Sequence, residues 1–249
     1  MNKESFERQV CLAIDATNRW LVAGFVAGEA DRLNLQIRAE APRESFRRLV
    51  PEIRELLKAG KLDRPDWIAA ARGPGSFTGT RISVGAARNL AQLWDVPVFS
   101  VSSIALYLYC CARQARESGA EGGLEIAVMI DGKQERVFAA HSTVQSALAG
   151  SPLSIVDRSP DEFLTRLHDQ HPGAAVYVDD PASIEGYLRN PIVLERVPSW
   201  NLIQPPRAVD LRDLCLTMPA SRSTWSELVP EYLRMDPATS KFTERQKPI

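Results

Sequence analysis

Arg72-Gly73-Pro74-Gly75-Ser76-Phe77-Thr78-Gly79-Thr80-Arg81 joins an apolar stretch, Trp67 to Ala71, to a run of small and apolar residues with helical spacing. Three glycines, a proline and several hydroxyls at a strand-to-helix junction describe a backbone shaped for close contact. Gly73, Gly75 and Gly79 can take positive φ, and Pro74 fixes its own φ. Ser76 or Thr78 can cap a helix beginning near Thr80. Such a turn also offers backbone N–H groups, at the positive end of the helix dipole, to an anion or a partner's polar groups. The spacing fits neither the dinucleotide G-x-G-x-x-G nor the phosphate-binding loop with its lysine. A tight turn without a ligand is the competing reading.

Upstream of this loop, residues 10–17, 20–27 and 33–40 read as three short strands, the first a nearly continuous apolar run and the last alternating. A helix follows over about 43–59, with Phe46, Leu49, Val50, Ile53, Leu56 and Leu57 on one face and Gly60 as its stop. Pro51 removes an N–H within it and should bend it. Downstream come a helix from Thr80 to about Leu93, a strand at 98–101, and a third helix started by Ser102 or Ser103 and running to about Arg116. The order β-β-β-α-β-α-β-α matches one lobe of the actin, chaperone and sugar-kinase superfamily. Residues 117–123, rich in glycine and charge, mark a boundary, giving an N-terminal lobe over 1–116 and a second lobe with tail over 117–249. That second part opens with a hairpin, 124–131 and 136–142, then thins into Pro- and Asp-containing segments. A full second copy of the lobe is hard to fit there, no internal repeat is visible, and the tail after Met235 lacks apolar periodicity.

The chain has 249 residues, 45% of them apolar and 24% charged, with a net charge of −1. This is the composition of an ordinary globular protein, and it lacks the basic footprint of a free-standing nucleic-acid binder. The charged N-terminal segment, with few apolar residues before Asp15, predicts neither a signal peptide nor a membrane span, and hence a cytoplasmic protein. Cys11, Cys110, Cys111 and Cys215 have no C-x-x-C spacing and read as reduced, buried thiols. His141, His168 and His171 form no zinc pattern with them, and His168 and His171 read as a solvated pair on a polar helix, so no metal is expected. Ser45, Ser76 and Ser103 are nucleophile candidates by residue type alone, with no histidine placed in a motif to activate them.

The string Gly-Pro-Gly-Ser-Phe-Thr-Gly followed by Arg81-Ile82 and a small-residue helix resembles the signature of the TsaB family, also called YeaZ. Three further stretches agree in order: Ala13-Ile14-Asp15-Ala16-Thr17, Met129-Ile130-Asp131, and Pro230-Glu231-Tyr232-Leu233-Arg234. The resemblance is dense over residues 10–142 and afterwards rests on the last motif and on length. It implies an α/β, actin-like ATPase (ribonuclease H-like) fold with a complete N-terminal lobe and a reduced C-terminal lobe. It also implies a non-catalytic scaffold subunit required for threonylcarbamoyladenosine modification of tRNA.

By the same resemblance, the partners are the catalytic subunit TsaD and the ATPase TsaE. The chain alone would form a homodimer, tRNA would be met only through the complex, and no membrane would be involved. ATP and metal belong to the partner subunits, and this chain needs no cofactor of its own. Asp15, with Thr17 in the same turn, and Asp131 occupy the places where the superfamily's acids orient metal and nucleotide. As sequence alone, each reads equally as a strand-end aspartate capping the next turn. The first turn, Asp-Ala-Thr-Asn, has no glycine for close phosphate approach, and Pro42-Arg43-Glu44-Ser45 has serine where relatives often keep a histidine. Both features argue against the alternatives, an active ATP-dependent phosphotransferase or a metallopeptidase; a regulatory homodimer is the third. The expected partner surface is formed by Phe46, Leu49, Val50 and Ile53 on the first helix and by Ser83, Val84, Ala87, Arg88 and Ala91 on the second, whose small residues would let another helix approach closely.

Overall fold

In the computed structural model the described residues are 6, 8–28, 33–40, 44–196, 200–218 and 222–234. The expected start of the first helix at Arg43 and the tail after Met235 lie outside them. The first sheet grows around β1 (Cys11–Asp15), every residue of which is buried, as its uninterrupted apolar run requires. β2 (Trp20–Ala27) is buried throughout, whereas β3 (Leu33–Glu40) alternates and lies at the edge. β1 pairs antiparallel with β2 and β2 with β3; β1 pairs parallel with β4 (Trp67–Ala71), and β4 with β5 (Val98–Val101). β1 stops at Asp15, two residues before the expected end, because the aspartate side chain turns the chain there.

Two helices cover one face of this sheet. α1 (Ser45–Gly60) contributes Leu49, Ile53 and Leu56, and α2 (Phe77–Trp94) contributes Val84, Ala87 and Ala91 to the same core. α1 continues through Pro51, and Lys61 closes it in the left-handed conformation, one position beyond the glycine expected to stop it. α2 begins at Phe77 rather than Thr80, since the Ser76 hydroxyl already accepts from the Gly79 N–H.

α3 (Ser103–Glu117), with Ser102 as its N-cap, links the lobes. Leu106 and Cys110 pack on the first sheet, while Ile104, Tyr107, Leu108 and Cys111 pack on the second. A helix with apolar residues on all sides is stable only when covered on all sides, and the second lobe supplies the missing cover.

The second sheet contains β6 (Glu125–Asp131), β7 (Val137–Thr143), β8 (Val156–Arg158), β9 (Ala175–Val178) and β10 (Asn201–Leu202), in the order β10-β9-β6-β7-β8. This is the order and sense of the first sheet's β5-β4-β1-β2-β3. The expectation that a second copy could not fit is corrected: the strand order is repeated, with outer strands of three and two residues. Between the strands lie α4 (Val144–Leu148), α5 (Pro160–Gln170), α6 (Pro181–Tyr187) and α7 (Pro191–Arg196).

The chain then returns. α8 (Ala208–Thr217) packs on the first sheet beside α3, and β11 (Arg222–Ser223) pairs antiparallel with β5. The expected division at 116/117 therefore places too much in the second lobe, because α8 and β11 belong to the first. Among the described residues no helix is long and apolar enough to cross a membrane. All four cysteines are buried thiols, with Cys11 and Cys110 pushed well up by burial.

Candidate functional site

The signature loop is held by the backbone of the β1–β2 turn. A Cβ on Gly79 would stand 2.2 Å from the Ala16 carbonyl oxygen, and one on Gly75 would stand 2.3 Å from that of Thr17. Only Gly73, at φ +102°, needs the left-handed region; Gly75 and Gly79 are required for closeness instead, which corrects the expectation of positive φ at all three. The peptide bond between Gly73 and Pro74 is cis.

The N–H groups expected to await an anion are largely engaged within the chain. Gly73 donates to the Ser103 hydroxyl at 3.0 Å, Ser76 to the Thr17 carbonyl at 2.7 Å, and Thr80 to the Ser76 carbonyl at 2.8 Å. Thr78 is not the cap.

Asp15 is fully buried at the end of β1. Its Oδ1 accepts from the Thr17 N–H at 2.8 Å and the Thr17 hydroxyl at 2.7 Å, and its Oδ2 accepts from the Tyr107 hydroxyl at 3.2 Å. Burial raises its pKa, and these three donors work against that rise. Thr17 Oγ in turn accepts from the Ser103 hydroxyl at 2.8 Å, so strand end, signature loop and α3 share one network. Of the three serines named by residue type, Ser103 and Ser76 are engaged in this network and in the α2 cap, and Ser45 is buried in α1.

Asp131, at the end of β6, faces a cleft of about 700 Å³ between the lobes. Its Oδ1 accepts from the Lys133 N–H at 2.8 Å and the Tyr187 hydroxyl at 3.1 Å, and its Oδ2 meets the Lys133 ammonium. Asp179, at the end of β9, accepts from the Asp131 N–H at 3.0 Å. Burial, reinforced by the Asp131 charge, pushes its carboxyl up to about 6, against the pull of Arg19. The C-terminal motif closes the same cleft. The Glu231 N–H donates to the Arg72 carbonyl at 2.8 Å, Tyr232 lies against Phe77 with its hydroxyl taking a bond from Arg81, and Arg234 crosses to Asp157 and the Gly132 carbonyl. Asp179, Arg19 and Tyr187 were not singled out in the sequence, and no local pattern marks them.

The expected partner surface divides in two. Phe46 and Val50 are exposed, at 77% and 54%, and Leu93 joins them at 73%. Leu49, Ile53, Ser83, Val84, Ala87 and Ala91 are at most 2% exposed and form the lobe's own interior, so their assignment to an interface is corrected. Arg88 is half-buried. The outward side of α2 carries Gly85 instead, where an added Cβ would meet open space.

A sequence model for the family described as TsaD, tRNA N6-adenosine threonylcarbamoyltransferase, matches residues 38–189, more than half of the chain. The structure resembles YeaZ from Pseudomonas aeruginosa with a TM-score of 0.67 and 25% identity, covering 90% of this chain and 99% of that one. The chain belongs to the TsaB/YeaZ family. The tRNA threonylcarbamoyladenosine biosynthesis protein TsaB of Haemophilus influenzae is 38% identical over 96 residues, 37% of this chain and 39% of that protein. TsaB of Escherichia coli K12 is 40% identical over 65 residues, 25% of this chain and 28% of its own length. The chain thus spans well under half the length of the curated TsaB relatives it matches. The strand order repeated between the two sheets accounts for the equivalent places of Asp15 and Asp131 at the ends of their first strands.

Proposed function

We propose that the chain serves threonylcarbamoyladenosine formation on tRNA as a non-catalytic scaffold subunit in the cytoplasm. It pairs with the catalytic subunit TsaD, cooperates with the ATPase TsaE, reaches tRNA only through that assembly and forms a homodimer when alone. The reaction's ATP and metal are assigned to the partner subunits. The observation that carries this reading is Asp15. The acid that would orient a nucleotide's metal is buried and accepts three hydrogen bonds from its own chain. A carboxylate with no exposed surface and three of its lone pairs engaged is out of reach of an ion in the cleft unless the turn is dismantled.

Exposure supports one pairing face. Phe46 and Val50 on α1 and Leu93 on α2 are large apolar side chains in water on adjacent helices, and Gly85, with open space around it, would let a partner's helix approach α2 closely. A standard interface covers about 800 Å² per partner, and aromatic anchors near its centre carry much of the affinity.

The test pairs size-exclusion chromatography of the chain mixed with TsaD and an ATP-hydrolysis assay of the chain alone. A complex that Phe46→Glu abolishes without moving the thermal midpoint, together with no hydrolysis by the chain alone, is expected. Hydrolysis that Asp131→Asn removes would overturn the non-catalytic reading, and a complex indifferent to Phe46→Glu would overturn the face.

A further inference from the structure

His141 and His171 are thirty positions apart, yet the fold brings their rings to a centroid distance of 4.7 Å, inclined at 45°. Glu125 lies against both. Its Oε1 is 3.4 Å from His171 Nδ1 and its Oε2 is 3.9 Å from His141 Nδ1. The expectation that His168 and His171 form the histidine pair is corrected: His171 turns to His141 on β7 rather than along its own helix. We propose that Glu125, His141 and His171 form a binding site for a divalent transition-metal ion, Zn²⁺ foremost, that ties the end of α5 to the β6–β7 hairpin.

Three separate elements place the ligands. Glu125 opens β6 and pairs with Thr143, while His141 pairs with Ala127, so the two side chains stand on the same face as diagonal neighbours, within reach of each other. His171 is the C-cap of α5. Its N–H donates to the Leu167 carbonyl at 2.7 Å and its carbonyl accepts from the Ala174 N–H at 3.0 Å, which fixes its backbone on both sides. Beneath them Phe163, Leu164 and Leu167 pack on Ala127 and Ala139, giving the cluster an apolar floor.

The spacing suits the ion. One ligand atom from each residue lies within 4.8 Å of the others. Zn²⁺ bonds of about 2.0–2.2 Å in a tetrahedron set ligand atoms about 3.4 Å apart, so the observed separations need only side-chain rotation to close. Two imidazoles and one carboxylate are the ligand types that a borderline ion takes, and three protein ligands leave one position open on the solvent side. A dication would give both imidazoles and the carboxylate a common partner. The buried cysteines offer no competing thiolate.

The site is tested by titrating the full, tag-free chain with Zn²⁺ alone by calorimetry and with Co²⁺ by visible absorption. One ion per chain is expected, with tetrahedral Co²⁺ bands and no thiolate charge-transfer band. His141→Ala, His171→Ala and Glu125→Gln should each weaken binding more than about tenfold. Zn²⁺ at a hundredfold excess over its Kd should raise the wild-type thermal midpoint by about 5 °C or more, and that of the His141→Ala variant far less. His168→Ala should leave the affinity unchanged. Stoichiometric binding that survives both histidine variants, binding lost only with His168→Ala, or heats of no more than nonspecific size would each overturn the assignment.

Discussion

The two lobes use the same strand order, but they surround the aspartate at the end of their first strand with different partners. Asp15 is sealed beneath the signature loop, its oxygens filled by Thr17 and Tyr107. Asp131 lines the cleft with its side chain only 3% exposed, and two of its three donors come from Lys133, whose own side chain is 76% exposed and can turn to water. The loops that follow the fourth strand of each set explain the difference. In the first lobe, Gly75 and Gly79 let the chain lie on the Ala16 and Thr17 carbonyls and close the turn. In the second, Asp179-Asp180-Pro181 cannot approach so closely; Asp180 caps α6 through Ser183, and Asp179 is left between Asp131 and the cleft. Equivalent topology fixes where an acid stands, and the neighbouring loop decides what it can touch.

The largest effect should come from Ala87→Glu. The residue is fully buried in the first lobe's core, so an unpaired carboxylate there should cost about 4 kcal/mol or more and unfold the chain in urea before any partner is lost. Survival of the fold would mean that α2 is not packed as described. Next in size, Asp15→Ala leaves two Thr17 donors and the Tyr107 hydroxyl without an acceptor, a cost of about 3 kcal/mol, against about 1 kcal/mol for Asp131→Ala. Equal costs in chemical denaturation would erase the contrast between the lobes.

Asp179 gives a pH test. Its folded-state pKa, about 6, lies above the ordinary aspartate value, so the native state holds its proton more tightly than the unfolded chain. Stability from this group is greatest at low pH and declines as pH rises from about 4 through 6. Asp179→Asn should therefore stabilise by up to about 3 kcal/mol at pH 8 and by almost nothing at pH 3.5, read from urea midpoints at the two values. A gain independent of pH would show that the carboxyl is not held neutral by burial. The smallest change is Gly85→Ala: with open space around the added methyl, it should stabilise the isolated chain by about 0.5–1 kcal/mol while weakening association through α2. Destabilisation of the isolated chain would place this face in the core.

Much of the first lobe was legible because its signals are local. The apolar run of β1, the alternation of β3, the glycine-rich turn and the serine caps of α2 and α3 each express a period or a backbone requirement within a few residues. In the second lobe the β6–β7 hairpin was legible, but the outer strands were not, because strands of two and three residues carry no period to count; their partners across the sheet define them. The small residues of α2 illustrate the same limit. Ser83, Val84, Ala87 and Ala91 suit a close-packed face equally well whether the neighbour is a partner's helix or the chain's own sheet.

The sequence by itself therefore determined the family, the first lobe's order of strands and helices, and the positions of Asp15, Asp131 and the signature loop, since these rest on motifs and short-range backbone chemistry. Only the tertiary structure decided which helix face is exposed, that α8 and β11 return to the first sheet, that Asp15 is closed while Asp131 and Asp179 line a cleft, and that His171 meets His141 rather than His168. Burial, charge coupling and ligand geometry depend on residues brought together from distant parts of the chain, and no local period records those distances.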